Sequence, residues 1–314
     1  MNLPRVLCLL PLLVSVAAAQ APQPCCAKDD ITGKEALLWQ KLAMDVRAVD
    51  AGLEGVVGVA IEDLTTRHTF FLNPDEVFPQ ASSIKVTVLA TLYRQHQDGK
   101  LSLGDPYIVN SADLVPDSSI MGGLTPGVTR VTNRDLATMM VAVSDNSATN
   151  VLIDRVGMDN VNAFLDRLGL HATRLRRKMM DLKAASEGRE NVSTPREMLT
   201  LLESLYRKKL LNAQLTDDFF TMLATHKDSW IPRYLPEELK IANKPGSLEG
   251  VRNDSGVIFA SRPYILCVMT TYLRNEREGE EAIAQISRAA YLMFDRLGRA
   301  SPYGRVISPA NSSK

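Results

Sequence analysis

Strand-like sequence lies at both ends of this chain, and helix-like sequence fills the middle. Residues 55–63 are rich in β-formers (Val56, Val57, Val59, Ile61), and residues 67–72 read as their hairpin partner across a turn near Thr65-Thr66. Strand character then fades. It returns at residues 240–243 and again in a second hairpin, 256–260 with 264–273. Between about Leu101 and Thr225 the chain reads as helices and loops. Strands so placed imply one antiparallel sheet assembled from both chain ends. The expected class is α/β (α+β) and two-lobed: that sheet flanked by helices, with an all-α domain inserted.

The helical readings rest on periodicity. Leu37, Leu38, Leu42, Val46 and Val49 share one face of a segment over 33–49. Residues 82–96 carry Val86, Val88, Leu89 and Leu92, a pattern of deep burial. Further helices are expected over 133–143, 147–156, 159–168 and 195–206, and a closing amphipathic helix over 281–297. Residues 171–194 are polar and charged, and a loop this long inside a compact domain is often functional. The expected division is an α/β domain from 33–98 and 226–300, an all-α domain over 99–225, and a flexible tail over 301–314.

Composition closes off several functions. The 36 basic and 36 acidic residues cancel, so no global field favours nucleic acid or an anionic membrane surface. Residues 1–19 read as a signal peptide: Arg5, an apolar run from Val6 to Val16 broken by Pro11, then Ala17-Ala18-Ala19. Cleavage there predicts a mature start at Gln20, a flexible leader over 20–32, and a periplasmic or secreted protein. Pro22 stands where a lipidation signal before Cys25 wants a Leu-type residue. No later stretch is long and apolar enough to span a membrane. Removal of Cys8 leaves Cys25, Cys26 and Cys267, an odd number that indicates neither a disulfide framework nor a zinc site. Cys267 lies in an apolar strand and reads as a small buried hydrophobe. No metal or cofactor is expected, and a monomer is.

Three short motifs carry the chemistry. Ser82-Ser83-Ile84-Lys85 puts a hydroxyl and an amine one helical turn apart on one face, whereas Ser83 is two residues from Lys85 and faces elsewhere. Alone, Ser82 is a helix N-cap. Ser144-Asp145-Asn146 alone is a turn between helices, and Lys244-Pro245-Gly246 alone is a surface lysine and a turn. In this order the three resemble the S-x-x-K, S-D-N and K-T-G set of class A β-lactamases and penicillin-binding proteins. Thr132-Asn133-Arg134-Asp135-Leu136, Ile231-Pro232-Arg233 and Val251-Arg252-Asn253-Asp254 are similar to the family's flanking sequence. The resemblance covers about Lys34 to Leu297.

That resemblance implies roles. Ser82 is the implied nucleophile, and Lys85, its pKa lowered by burial and by Lys244, the implied base. The backbone N–H groups of Ser82 and Ser247 form an oxyanion hole. Ser144 relays a proton to the departing amine. Asn146 binds the substrate amide and orients Lys85. Lys244 and Ser247 hold the substrate carboxylate, with Arg252 a weaker candidate. Asp145 is read as structural. The implied partner is a small β-lactam or a peptidoglycan peptide.

Two departures stand out. Pro245 replaces the family's usual Thr and supplies neither a hydroxyl nor a backbone donor. In the stretch from Thr173 to Lys183, which resembles the family's omega loop, Met179 stands where class A enzymes carry their deacylating Glu, and Lys183 where they carry a water-holding Asn. A thioether cannot take a proton from water. Asp181 is the nearest loop carboxylate: it substitutes for the Glu, or it pairs with Arg177 to brace the loop. Glu187 and Glu190 are more distant. The readings left open are a β-lactamase with slow or atypical deacylation, a D-Ala-D-Ala peptidase or esterase, and a non-hydrolytic β-lactam-binding protein.

Overall fold

The protein is described here by a computed structural model covering residues 33–301 and 303–306. The expected signal peptide, the leader with Cys25 and Cys26, and most of the expected tail lie outside the described residues.

The chain opens with α1 (Lys34–Gly52), then the hairpin β1 (Val56–Asp63) and β2 (Thr69–Leu72), and the two-residue β3 (Phe78–Pro79). A 3₁₀ turn over Ala81–Ile84 runs into α2 (Lys85–Gln97). The middle holds β4 (Pro106–Ile108), β5 (Arg130–Thr132), α3 (Asn133–Ala142), α4 (Asn146–Val156), α5 (Met158–Arg167), α6 (Leu182–Ser186), β6 (Val192–Ser193), α7 (Pro195–Tyr206) and α8 (Ala213–Leu223). β7 (Ile241–Leu248), β8 (Val251–Ile258), β9 (Tyr264–Thr271) and α9 (Glu276–Gly298) complete it.

The five-stranded sheet has the order β2-β1-β9-β8-β7 and is antiparallel throughout. The last strand therefore pairs with the first, as strand character at both ends implied. Both faces are covered, and alternation sorts the side chains between them. Val57, Val59 and Ile61 of β1, with Tyr264, Leu266 and Val268 of β9, pack on Trp39, Leu42 and Val46 of α1 and Ile283, Ile286 and Phe294 of α9. Tyr264 stacks on Phe294 with centroids 4.2 Å apart. Ala60, Ile265, Cys267 and Met269 point the other way, into a core shared with α2, α3, α4, α7 and α8. Each large apolar side chain buried so contributes about 1.5–3 kcal/mol. Gly58 makes room on that face, since a Cβ there would lie 2.6 Å from the Phe78 ring and 2.7 Å from Pro195. Cys267 is a free, buried thiol whose surroundings push its pKa up to about 12.

Element ends differ from expectation where polar residues are buried or capping. β8 starts at Val251 rather than near Gly256, because Asn253, Asp254 and Ser255 are buried in the ladder. α9 starts at Glu276 rather than Glu281, after Asn275 caps the Arg277 N–H. The sequence reading also passed over α8 and the small β4–β5 hairpin.

Candidate active site

Edge strand β7 lies against the turn that carries Ser82. Ser83, which faces away from Lys85, donates from Oγ to the Lys244 carbonyl at 3.1 Å. Asn253 on β8 donates to the Pro79 carbonyl at 2.7 Å. Gly246 closes the contact: a Cβ there would sit 2.5 Å from the Gln80 carbonyl and 2.7 Å from the Ser83 nitrogen. Ala81 is held at φ 48°, a left-handed conformation unusual for a residue with a Cβ. Ser82 thus stands half-buried on a 3₁₀ turn, and its carbonyl accepts the Lys85 N–H.

Lys85 is buried at 1% exposure, and its ammonium is directed by three acceptors. Nζ lies 2.7 Å from the Ser144 carbonyl, 3.0 Å from Ser144 Oγ and 2.9 Å from Asn146 Oδ1. Lys244, also 1% exposed, approaches the same hydroxyl from β7, with Nζ 3.1 Å from Ser144 Oγ. The two lysines, the serine and the asparagine therefore form one cluster around Ser144 Oγ.

The backbone at Ser144 has φ 57°, the second strained residue at this site. Asp145 holds that turn. Its Oδ1 caps α4 at Ala148 N (3.0 Å), and its Oδ2 accepts Ile120 N (3.0 Å) and Met121 N (2.8 Å). These are structural bonds, as expected of Asp145.

Burial dominates the electrostatics. Desolvation, then repulsion from Lys244, holds Lys85 well below the usual lysine range, with Asp145 pulling the other way. Lys244 is pushed down to about 7 by burial and by Lys227, against the attraction of Asp254. An amine so perturbed can accept a proton near neutral pH.

The loop over residues 173–194 is pinned from within. Asn191 accepts from the Arg176 (2.7 Å) and Arg177 (3.1 Å) nitrogens. Met179 is 7% exposed, and Asn150 of α4 clips its backbone twice, accepting its N–H at 2.8 Å and donating to its carbonyl at 3.0 Å. The next residue, Met180, has φ 61°. The expected brace between Asp181 and Arg177 is replaced by another. Arg177 pairs with Glu190 (Nη2 to Oε2, 2.9 Å), while Asp181 caps α6 at Ala184 N (2.9 Å). Asp181 sits at a helix start, where its short side chain is best used on the free N–H groups. Glu187 pairs with Arg189. Lys183 is exposed.

Arg252 is not drawn into the cluster. It faces α9, where Nε meets Glu280 at 3.1 Å and Nη1 donates to the Leu248 and Val251 carbonyls, both at 2.8 Å. Ser247, its register partner on β7, is exposed.

A serine on a strained turn, a buried lysine with its amine aimed, and a second lysine on the facing edge strand are parts for acyl transfer. The sequence profile of the Beta-lactamase2 family, described as "Beta-lactamase enzyme family", matches residues 41–294. The chain belongs to that beta-lactamase family. It is similar to Beta-lactamase SME-1 of Serratia marcescens, 28% identical over 81% of this chain and 89% of the relative. Beta-lactamase AER-1 of Aeromonas hydrophila is 28% identical over 88% and 90%. Among solved structures, a beta-lactamase from Sphaerobacter thermophilus has a TM-score of 0.74 at 33% identity, covering 80% of this chain and 96% of that one. PBP-A, with a TM-score of 0.74 at 24% identity over 81% and 96%, shares the fold.

The protein is thus a serine beta-lactamase-like hydrolase of α/β fold. Sequence reasoning missed Asn150 and Lys227, and it read Glu190 only as a distant loop carboxylate, not as the partner of Arg177. Asn150 was disguised as an ordinary helical residue. Glu190 looked too remote from Arg177 until the loop folded back on itself. Lys227 carried no motif at all. Among the described residues no helix is long and apolar enough to cross a membrane.

Proposed function

We propose that β-lactams acylate this protein at Ser82 and that the acyl-enzyme is released slowly. In this reading neutral Lys85 takes the Ser82 Oγ proton as Oγ bonds the lactam carbonyl. The oxyanion is held by the N–H groups of Ser82 and Ser247. The carbonyl–nitrogen bond of the ring then breaks, and the leaving nitrogen takes a proton through Ser144 Oγ, which lies within reach of both amines. Lys244, in its charged form, and Ser247 receive the substrate carboxylate. Arg252 stays with Glu280 and takes no part.

One observation carries the slow release: each loop carboxylate has another engagement, and Met179 occupies the buried, clipped position. Asp181 caps α6, Glu187 pairs with Arg189 and Glu190 with Arg177. A positioned general base is worth about 10²–10⁴ in rate, and deacylation here lacks one. The signal-like N-terminus supports export to where β-lactams and peptidoglycan are met.

The test is the lifetime of the acyl-enzyme. Fluorescent penicillin should label Ser82, with intact-protein mass spectrometry showing one adduct that persists for minutes or longer. Rapid multiple-turnover cleavage of a chromogenic cephalosporin would overturn slow release. Release of D-Ala from a peptide without β-lactam turnover would move the assignment to a peptidase.

A further inference from the structure

Behind the catalytic lysine of β7 lies a second lysine that no motif marks. Lys227 follows α8, and its Nζ donates to the Leu223 carbonyl at 2.8 Å and to the Thr225 carbonyl. The ammonium is thereby tied to the end of a helix where free carbonyls favour a cation. Just beyond it, the Trp230 and Ile231 nitrogens donate to Asp254 Oδ2 at 3.1 and 3.0 Å. Asn243 donates to both oxygens of the same carboxylate, at 2.8 and 3.0 Å. Asp254 sits opposite Pro245 in the ladder. One buried carboxylate is therefore wrapped by the segment that follows Lys227 and by the strand residues on either side of Lys244. These hydrogen-bond donors are all neutral, so its charge is answered at longer range by the two ammoniums.

We propose that Lys227 is a positioning residue of this site: together with Asp254 it governs whether Lys244 carries a charge, and so how readily the site takes an anionic substrate. The inference rests on the role proposed above for Lys244. Lys227 repels a proton from Lys244, and Asp254 attracts one. Burial brings Lys227 down to about 8, opposed by Asp254. Lys85 of α2 faces Lys244 across Ser144 Oγ, and Asp145 beneath the Ser144 turn acts on Lys85. On α8, which packs against β7, Asp218 is committed to Tyr93 and Arg134. With Lys227 charged, Lys244 divides between its two forms near neutral pH. A bound carboxylate then draws a proton from solvent onto Lys244, so capture of an anion weakens as pH rises.

Two readouts test this on the whole protein. In the first, the Lys244 ε-carbon resonance, identified by its loss in Lys244→Arg, is titrated by NMR without substrate. Lys227→Met should move its midpoint to higher pH by about one unit, the size expected of one nearby charge. Lys227→Arg should leave it in place. Lys227→Gln serves if the Met variant does not fold. An unmoved midpoint in the uncharged variants overturns the inference. In the second, the alkaline limb of labelling by fluorescent penicillin should shift with that midpoint. If the midpoint moves and the limb does not, Lys244 is not the anion-binding group, and it is the functional reading that fails.

Discussion

Gly246→Ala is a substitution whose effect can be worked from distances. The new Cβ would stand 2.5 Å from the Gln80 carbonyl oxygen, 2.7 Å from the Ser83 nitrogen and 2.8 Å from Ser83 Oγ. Two of those three atoms are backbone, so no rotamer change relieves the overlap. A carbon–oxygen contact relaxes at about 3.3 Å, so β7 and the Ser82 turn must part by roughly 0.8 Å. That movement stretches the bond from Ser83 Oγ to the Lys244 carbonyl beyond its present 3.1 Å. It also widens the gap between the Ser82 and Ser247 nitrogens proposed to hold the oxyanion. Misplacement by about 1 Å costs roughly 10²-fold in rate, while overpacking costs about 1–3 kcal/mol of stability. The expected outcome is a folded protein with modestly lowered Tm whose second-order rate of labelling by fluorescent penicillin falls roughly 10²-fold. Wild-type labelling at an unchanged Tm would refute the claim that this contact sets the acylation geometry.

Three further outcomes follow from the same residues. Met179→Glu should speed release of the acyl group by about 10²–10⁴, at a cost of about 1.5–3 kcal/mol in lost apolar burial; a label as persistent as in the wild type would place residue 179 away from the acyl carbonyl. Asp181→Asn should leave release unchanged, since Asn caps a helix as well as Asp does, and a clear slowing would make Asp181 the base after all. Lys244→Met should abolish acylation and stabilise the fold at low pH. The folded pKa of Lys244, about 7, lies below the 10.5 of a free lysine, so the unfolded chain binds the extra proton. That penalty is full below pH 7 and shrinks as pH climbs toward 10.5, so wild type should gain stability on the variant over that range in thermal melts.

Much of this architecture is legible because apolar periodicity and strand placement act locally. The helix over Pro195–Tyr206 matches its expected span, and the sheet closes as the two end hairpins implied. Readings failed where a polar residue serves the interior. Asn253, Asp254 and Ser255 look like turn formers but are strand residues with buried partners. Asp181 looked free to meet Arg177, yet a cap three residues away used it first. Arg252 resembled a carboxylate ligand by position, but its strand face turns it toward Glu280. Ser82 and the cluster of Lys85, Ser144, Asn146 and Lys244 were named from motif order. The αL turns at Ala81 and Ser144 that present it have no sequence signature, because neither residue is a glycine.

The pairing of β1 with β9 has a consequence for synthesis. Thr271, the last residue of β9, pairs with Val56, the first of β1, so the sheet cannot close until nearly the whole chain has been made. Contacts this distant in sequence are slow to form and leave strand edges open meanwhile. Ser82 sits on the early half, and the strand that completes its pocket arrives with the late half. Penicillin labelling is therefore a reporter of finished folding: a nascent or truncated chain that carries the serine should stay dark until its last strands dock.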